Sequence, residues 1–254
     1  MSGRLDGKVA IITGGGQGVG RGIAHAFAKE GAAVAVVDRN PETAASTASE
    51  LSELGARSIA IECEVSDRDQ VDAAVARTVA ELGGVDVLVN CAQASRPGLP
   101  SFMDHTEADM DLCYRTGPLG TFFFMHACFP HLKERAGTVV NFGSATGLEG
   151  RAGFTAYAAA KEAIRALTRV AAREWGPHQI RVNAISPAAM SPATEAYAAN
   201  HPDRFQQSLA AIPLGRIGDC EADIGRAVAA LVSSDMHYVT GMTLMVDGGQ
   251  YILR

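Results

Sequence analysis

Short apolar, β-branched runs alternate along this chain with longer segments whose apolar positions recur at helical spacing. The short runs are Val9–Thr13, Ala33–Asp38, Ser58–Cys63, Val85–Asn90, Thr138–Phe142, Arg181–Ser186 and Thr243–Val246. Most are near-continuous apolar stretches, which predicts strands buried on both faces, as in a parallel sheet. The segments between them carry Ala, Leu, Glu and Arg at helical spacing. Pro41 fits the first turn of the second helix, and Asp67 caps the third. Strand–helix alternation from end to end predicts an α/β, doubly wound domain spanning 1–254. Its seven-stranded parallel sheet carries helices on both faces, joined by right-handed crossovers.

One stretch breaks the rhythm. Residues 188–214 follow the sixth strand, hold three prolines and precede a last helix. A ligand of such a sheet lies beyond the carboxyl ends of the strands, so this segment is placed to be a substrate lid.

The first strand runs into Thr13-Gly14-Gly15-Gly16-Gln17-Gly18-Val19-Gly20, and a helix-like segment follows from Ile23 to Lys29. A glycine-rich turn between a buried strand and a helix start lets N–H groups approach a phosphate, aided by the helix dipole. This strand–turn–helix context predicts a Rossmann-type dinucleotide site. Asp38 ends the second strand, where a carboxylate accepts hydrogen bonds from a ribose 2′-OH and repels a 2′-phosphate. NAD is therefore expected over NADP, although Arg39 beside it offers a guanidinium to that phosphate. The fourth strand ends Asn90-Cys91-Ala92, small residues that let a flat cofactor pass close to the backbone.

Composition narrows the partners. The 254 residues are 47% hydrophobic, enough for a sizeable core. A net charge of −6 without a basic run argues against nucleic acid or an anionic membrane surface. No apolar stretch is long enough to span a bilayer and no charged-then-apolar leader opens the chain, so a cytoplasmic location is expected. The five cysteines form no Cys-x-x-Cys pair and read as small buried hydrophobes, with Cys91 notable for its place beside the cofactor. The seven histidines lack metal-ligand spacing, and no metal is expected.

The candidate chemistry lies in Tyr157-Ala158-Ala159-Ala160-Lys161. Four residues apart, phenol and ammonium share one helix face. A nearby cation stabilises phenolate and lowers the phenol's pKa, so Tyr157 can pass a proton to or from an alcohol while hydride moves. Ser144 lies just past the fifth strand, placed to donate a hydrogen bond to a substrate oxygen.

Together these pieces resemble the short-chain dehydrogenase/reductase family, of the bacterial 3-ketoacyl-reductase-like type. Further matches are Arg181-Val182-Asn183-Ala184-Ile185, Ile212-Pro213-Leu214-Gly215-Arg216, Thr240-Gly241 and Asp247-Gly248-Gly249. The resemblance implies an NAD(P)-dependent oxidoreductase acting on a small ketone or secondary alcohol. Ser144 becomes the substrate hydrogen-bond donor, Tyr157 the acid/base, and Lys161 the tuner of Tyr157 and ligand of the nicotinamide ribose. The implied cofactor site comprises Gly14, Gln17, Gly18, Val19, Gly20, Asp38, Arg39, Glu64, Val65, Asn90, Ala92, Pro187, Ala188 and Met190, with Tyr157 and Lys161. A homotetramer or homodimer is also implied, packed through 105–131 and 154–175.

The chain departs from that family at several places, Cys91 for an asparagine and Glu64-Val65 for the usual Asp-Val among them. Gln93 stands where glycine is usual, Ala188 follows Pro187 in place of glycine, and Pro192 stands for a threonine. Gly117 replaces an asparagine that helps hold a water linking the lysine to solvent. Two readings follow. One is a catalytically idle cofactor-binding sensor or scaffold. The other is that Pro118 kinks the helix and presents the Tyr114 carbonyl to that water. Gln93, Arg96, Leu148, Phe154, Met190, Tyr197 and Phe205 are candidate substrate walls, suited to a medium-sized, largely apolar ketone with a polar handle. Arg96 and Arg151 are candidate steering cations.

Overall fold

A computed structural model describes residues 3–96 and 98–252. Seven strands, β1 (Val9–Thr13), β2 (Ala33–Asp38), β3 (Ser58–Glu62), β4 (Val87–Asn90), β5 (Thr138–Phe142), β6 (Arg181–Pro187) and β7 (Thr243–Val246), form one sheet. Their order is β3-β2-β1-β4-β5-β6-β7 and every pairing is parallel. The chain winds outward from β1 to β3, then crosses back to lay β4 on the other side of β1. Ligands of open α/β sheets bind in the crevice above such a reversal.

Successive side chains of a strand face opposite sides, and the apolar runs divide accordingly. Ala10, Ile12, Val34, Val36, Val87 and Val89 join Ile23, Phe27, Leu51 and Val228 in one core. Val9, Ile11, Ala35, Val37 and Leu88 join Val71, Leu82, Phe124 and Leu132 in the other. Helices α1 (Gly18–Lys29), α2 (Pro41–Glu53) and α10 (Arg226–Val232) thus cover one face. Helices α3 (Arg68–Leu82), α5 (Gly120–Arg135) and α7 (Thr155–Trp175) cover the other. Asn40 caps α2 ahead of Pro41, and Asp67 accepts from the Asp69 and Gln70 N–H groups at the start of α3.

Four strands have the bounds read from the sequence. The fourth starts later, at Val87 rather than Val85. There the Asp86 carboxylate accepts the Val9 N–H at 3.0 Å and pairs with Lys8 and Arg135, so a side chain takes one bond of the ladder while the Asp86 N–H still bonds the Val9 carbonyl. Residues 188–214 are more regular than expected. They hold α8 (Pro192–Asn200) and α9 (Pro202–Ala210), and Pro192 and Pro202 each take a first helical position, where a missing N–H costs nothing. Neither helix contributes a fully buried residue.

Between α4 (Glu107–Tyr114) and α5, Arg115–Leu119 form a π turn around Pro118. The expected kink is therefore a local widening to i→i−5 pairing, seen in the bond from Gly120 N–H to the Arg115 carbonyl. In that register Leu119 faces the Tyr114 carbonyl. The carbonyl that Pro118 cannot serve is not left free, contrary to the sequence expectation.

Candidate active site

The glycine turn closes against the end of β4. Gly14 has φ +65°, and a Cβ there would come within 3.0 Å of the Ala92 Cα. A Cβ on Gly20 would collide with the Gly14 carbonyl. Gln17 holds the N-cap of α1 in extended backbone with no side-chain cap bond. The first N–H groups of α1 are thus left for an anion, between half-buried Gly18 and Val19.

Asp38 is half-buried at the end of β2. It accepts Gly16 N–H at 3.0 Å and Asn40 N–H at 3.1 Å, which fixes the carboxylate at the mouth of the turn. Arg39 is exposed beside it. On the same side the Glu64 carboxylate turns onto the Ser66 N–H and hydroxyl, at 3.1 and 3.0 Å, while Val65 is buried against Gly120.

At the end of β4 the Thr13 hydroxyl accepts both the Cys91 and Ala92 N–H groups at 3.1 Å. Asn90 donates to the Asn141 Oδ1 at 2.8 Å, and its own Oδ1 is buried without a partner among the described residues. An orphaned acceptor beside a phosphate-binding turn is what a bound ligand satisfies. Across the crevice Pro187 closes β6. Ala188 donates to the Val246 carbonyl, and Met190 donates to the Gly218 carbonyl. Pro192 then passes over Gly18, its Cδ within 3.3 Å of a Cβ placed there.

The reacting groups gather at the next strand ends. Ser144 follows β5 and caps the short helix α6 (Ala145–Glu149), its Oγ accepting Thr146 N–H at 3.2 Å. Tyr157 and Lys161 lie on α7. Lys161 is 4% exposed and donates to the Phe142 carbonyl at 2.9 Å, with its Nζ 5.4 Å from the Tyr157 ring centroid. Burial brings the Lys161 ammonium down to about 8. Burial also pushes the Tyr157 phenol up to about 12, opposed by the neighbouring Ser144 hydroxyl. This reverses the direction expected from the sequence. The ammonium sits over the ring face and bonds a carbonyl, so desolvation outweighs it at the phenol. A phenol so placed is a neutral proton donor.

The candidate walls are half-buried at Gln93, Leu148, Phe154, Met190, Tyr197 and Phe205. The two candidate steering arginines are both engaged. Arg96 bonds the Asp109 carboxylate and Arg151 the Glu149 carboxylate, at 3.2 and 2.9 Å. Sequence reasoning missed Thr13, which ties β1 to the β4 loop, and Asn141, which orients Asn90. Asn141 carried a signal, being a polar residue inside the apolar run Val139-Val140-Asn141-Phe142.

A nicotinamide dinucleotide fits these residues: a tight glycine turn, an uncapped helix start, a fixed carboxylate and an unpaired buried amide oxygen. Residues 14–250 match a family model described as enoyl-(acyl carrier protein) reductase. A 12α-hydroxysteroid dehydrogenase of a Clostridium species is 44% identical, the match covering 97% of this chain and 98% of that one. The chain belongs to the short-chain dehydrogenase/reductase family. A 3-oxoacyl-[acyl-carrier-protein] reductase of Thermotoga maritima is 35% identical over 98% of this chain and all (100%) of its own. A solved 7α-hydroxysteroid dehydrogenase, complexed with NADH and 7-oxo glycochenodeoxycholic acid, superposes with a TM-score of 0.90. Its identity is 33%, over 97% of this chain and 95% of that one.

Membership makes the chain an NAD(P)-dependent oxidoreductase that interconverts a secondary alcohol and a ketone of a small molecule. The idle-scaffold reading gives way to this. Among the described residues no helix is long and apolar enough to cross a membrane.

Proposed function

We propose that this family member is an NAD-dependent hydroxysteroid-type dehydrogenase in which Tyr157 moves the proton. The observation that carries the reading is the meeting of Ser144, Tyr157 and Lys161 at the carboxyl edge of the sheet, beside the glycine turn. When bound, a nicotinamide would supply or accept the hydride. Tyr157 donates its phenolic proton to the carbonyl oxygen in reduction and takes it back in oxidation. Ser144 holds that oxygen by a hydrogen bond. Lys161 orients the ring edge and reaches the nicotinamide ribose. Gly14, Gln17, Gly18, Val19 and Gly20 hold the pyrophosphate. Asp38 takes the ribose diol and excludes a 2′-phosphate, with Arg39 turned to solvent. Glu64, Val65, Asn90, Ala92, Pro187, Ala188 and Met190 complete the cofactor walls.

The substrate class rests on two supports. The relative that is 44% identical over nearly the whole chain is named a 12α-hydroxysteroid dehydrogenase. The walls at Leu148, Phe154, Met190, Tyr197 and Phe205 suit a broad apolar ring system. Residues 188–214 act as a lid over one domain, because α8 starts at Pro192 against Gly18 and neither α8 nor α9 contributes a fully buried residue. Exposed Leu112, Tyr114, Phe122 and Val170 on α4, α5 and α7 support a homodimer or homotetramer through those helices.

Turnover of hydroxysteroids oxidised at single ring positions, compared with short-chain alcohols and with 3-oxoacyl thioesters, tests the substrate class. Selective oxidation of a 12α-hydroxyl with NAD supports it. Equal or better turnover of an acyl thioester overturns it.

A further inference from the structure

Gln93 is half-buried, but both polar atoms of its carboxamide are buried and without a partner among the described residues, the one such pair near the site. It leaves the end of β4 and lies against the π turn. A Cβ placed on Gly117 would come within 3.0 Å of the amide carbon and 3.1 Å of both its nitrogen and its oxygen. The near-equal distances mean that the amide covers Gly117 face-on and fills the volume a side chain there would take. The seam is stapled on both sides. Thr116 accepts Ala94 N–H at 3.0 Å and donates to the Leu112 carbonyl at 2.7 Å, while Thr13 holds Cys91 and Ala92. Such stapling gives the amide a fixed place.

Lys161 lies on α7, which packs against α4 and the π turn. The titratable groups around it are Tyr157 on its own helix, Cys91 two residues before Gln93, and Cys113 one helical turn before Gly117. Only one of its three N–H donors has a partner among the described residues, the Phe142 carbonyl. A buried ammonium with spare donors and a buried amide with neither atom paired, on elements that pack against the π turn, call for a shared polar partner.

We propose that Gln93 is a positioning residue for Lys161, its carboxamide standing in the volume left by Gly117 and holding a bridging water to the lysine. This rests on the oxidoreductase reading above for its catalytic consequence. The chain thereby supports its lysine from the β4 loop, across the seam from the helix. Gly117 and Gln93 form a matched pair, since any larger residue at 117 displaces the amide.

The test separates the amide from its volume. Gln93→Leu keeps the bulk and removes both polar atoms; Gln93→Met serves if the leucine variant fails to fold. With the thermal midpoint within a few degrees of wild type, kcat falls at least tenfold while KM for NAD stays within threefold. In cofactor-free protein, the Lys161 Nζ titration, followed by NMR of labelled lysine, moves to lower pH. Gln93→Gly loses the same activity. Adding Gly117→Asn to it restores kcat to within threefold, because an amide returns from the helix side, while adding Gly117→Leu does not. Unchanged kcat and unchanged Lys161 titration in Gln93→Leu overturn the proposal, as does equal rescue by leucine and asparagine at 117. A wild-type protein that oxidises no alcohol would refute the oxidoreductase reading instead, and the lysine titration alone then decides the role of Gln93.

Discussion

Replacing Asp38 by alanine inverts the cofactor preference. The carboxylate accepts two main-chain N–H bonds, from Gly16 at 3.0 Å and Asn40 at 3.1 Å. About two of its four lone-pair directions remain for a ribose diol. A hydrogen bond to a charged group contributes about 1.5–3 kcal/mol, so its loss weakens NAD binding by about 10- to 150-fold. A 2′-phosphate about 5 Å from the carboxylate, in this half-buried setting, is repelled by about 1–3 kcal/mol per charge. Asp38→Ala relieves that repulsion. The two effects act in opposite directions on the two cofactors, so the ratio of kcat/KM for NAD over NADP falls by roughly 10² to 10⁴. Steady-state kinetics with both cofactors, alongside titration of NADH and NADPH binding by fluorescence, measures it. A ratio that moves less than about threefold, or a wild type that prefers NADP, refutes the assignment of Asp38 to the ribose. Exposed Arg39 then becomes the determinant.

Two further outcomes follow from the site. Lys161 has its folded pKa brought down to about 8 from an ordinary 10.5. Between those values the unfolded chain binds the extra proton, so this group's contribution to stability rises with pH across the window, by about 2–4 kcal/mol, while the five cysteine thiols that burial pushes up from 9.0 work in the opposite direction. Denaturant unfolding of wild type and Lys161→Met at pH 8 and pH 10 isolates it: the stability of wild type relative to the variant rises by about 2 kcal/mol between the two pH values, and a difference that stays constant refutes the lysine as its source. Ser144→Ala removes the substrate hydrogen bond and lowers kcat by about 10²–10³. The lost cap of α6 costs only about 1 kcal/mol of stability, and a kcat within threefold of wild type contradicts the role given to Ser144.

The sheet was legible because its central strands are buried on both faces. Val9–Thr13 and Ala33–Asp38 are unbroken apolar runs up to their last residue, and their bounds follow directly. Val85–Asp86 reads as strand for the same reason, yet a side chain competes there for the backbone, a contest no local pattern records. Pro192 and Pro202 mark helix starts as readily as loops, and only their surroundings decide. The site was legible as a set of residue types at strand ends. Its electrostatics were not. Spacing places Lys161 near Tyr157, but the balance between a neighbouring charge and desolvation depends on burial in three dimensions. The pairing of Gln93 with Gly117 joins residues 24 positions apart on different elements. Each looked like a separate departure until the packing brought them into contact.

Tyr157→Phe tests the central assignment most directly, because it deletes one oxygen and leaves the ring against Phe154 and Lys161. With a hydroxysteroid as substrate, the variant binds NADH as wild type does and loses at least about 10³-fold in kcat. A variant that retains turnover within tenfold of wild type, with cofactor binding intact, contradicts the account.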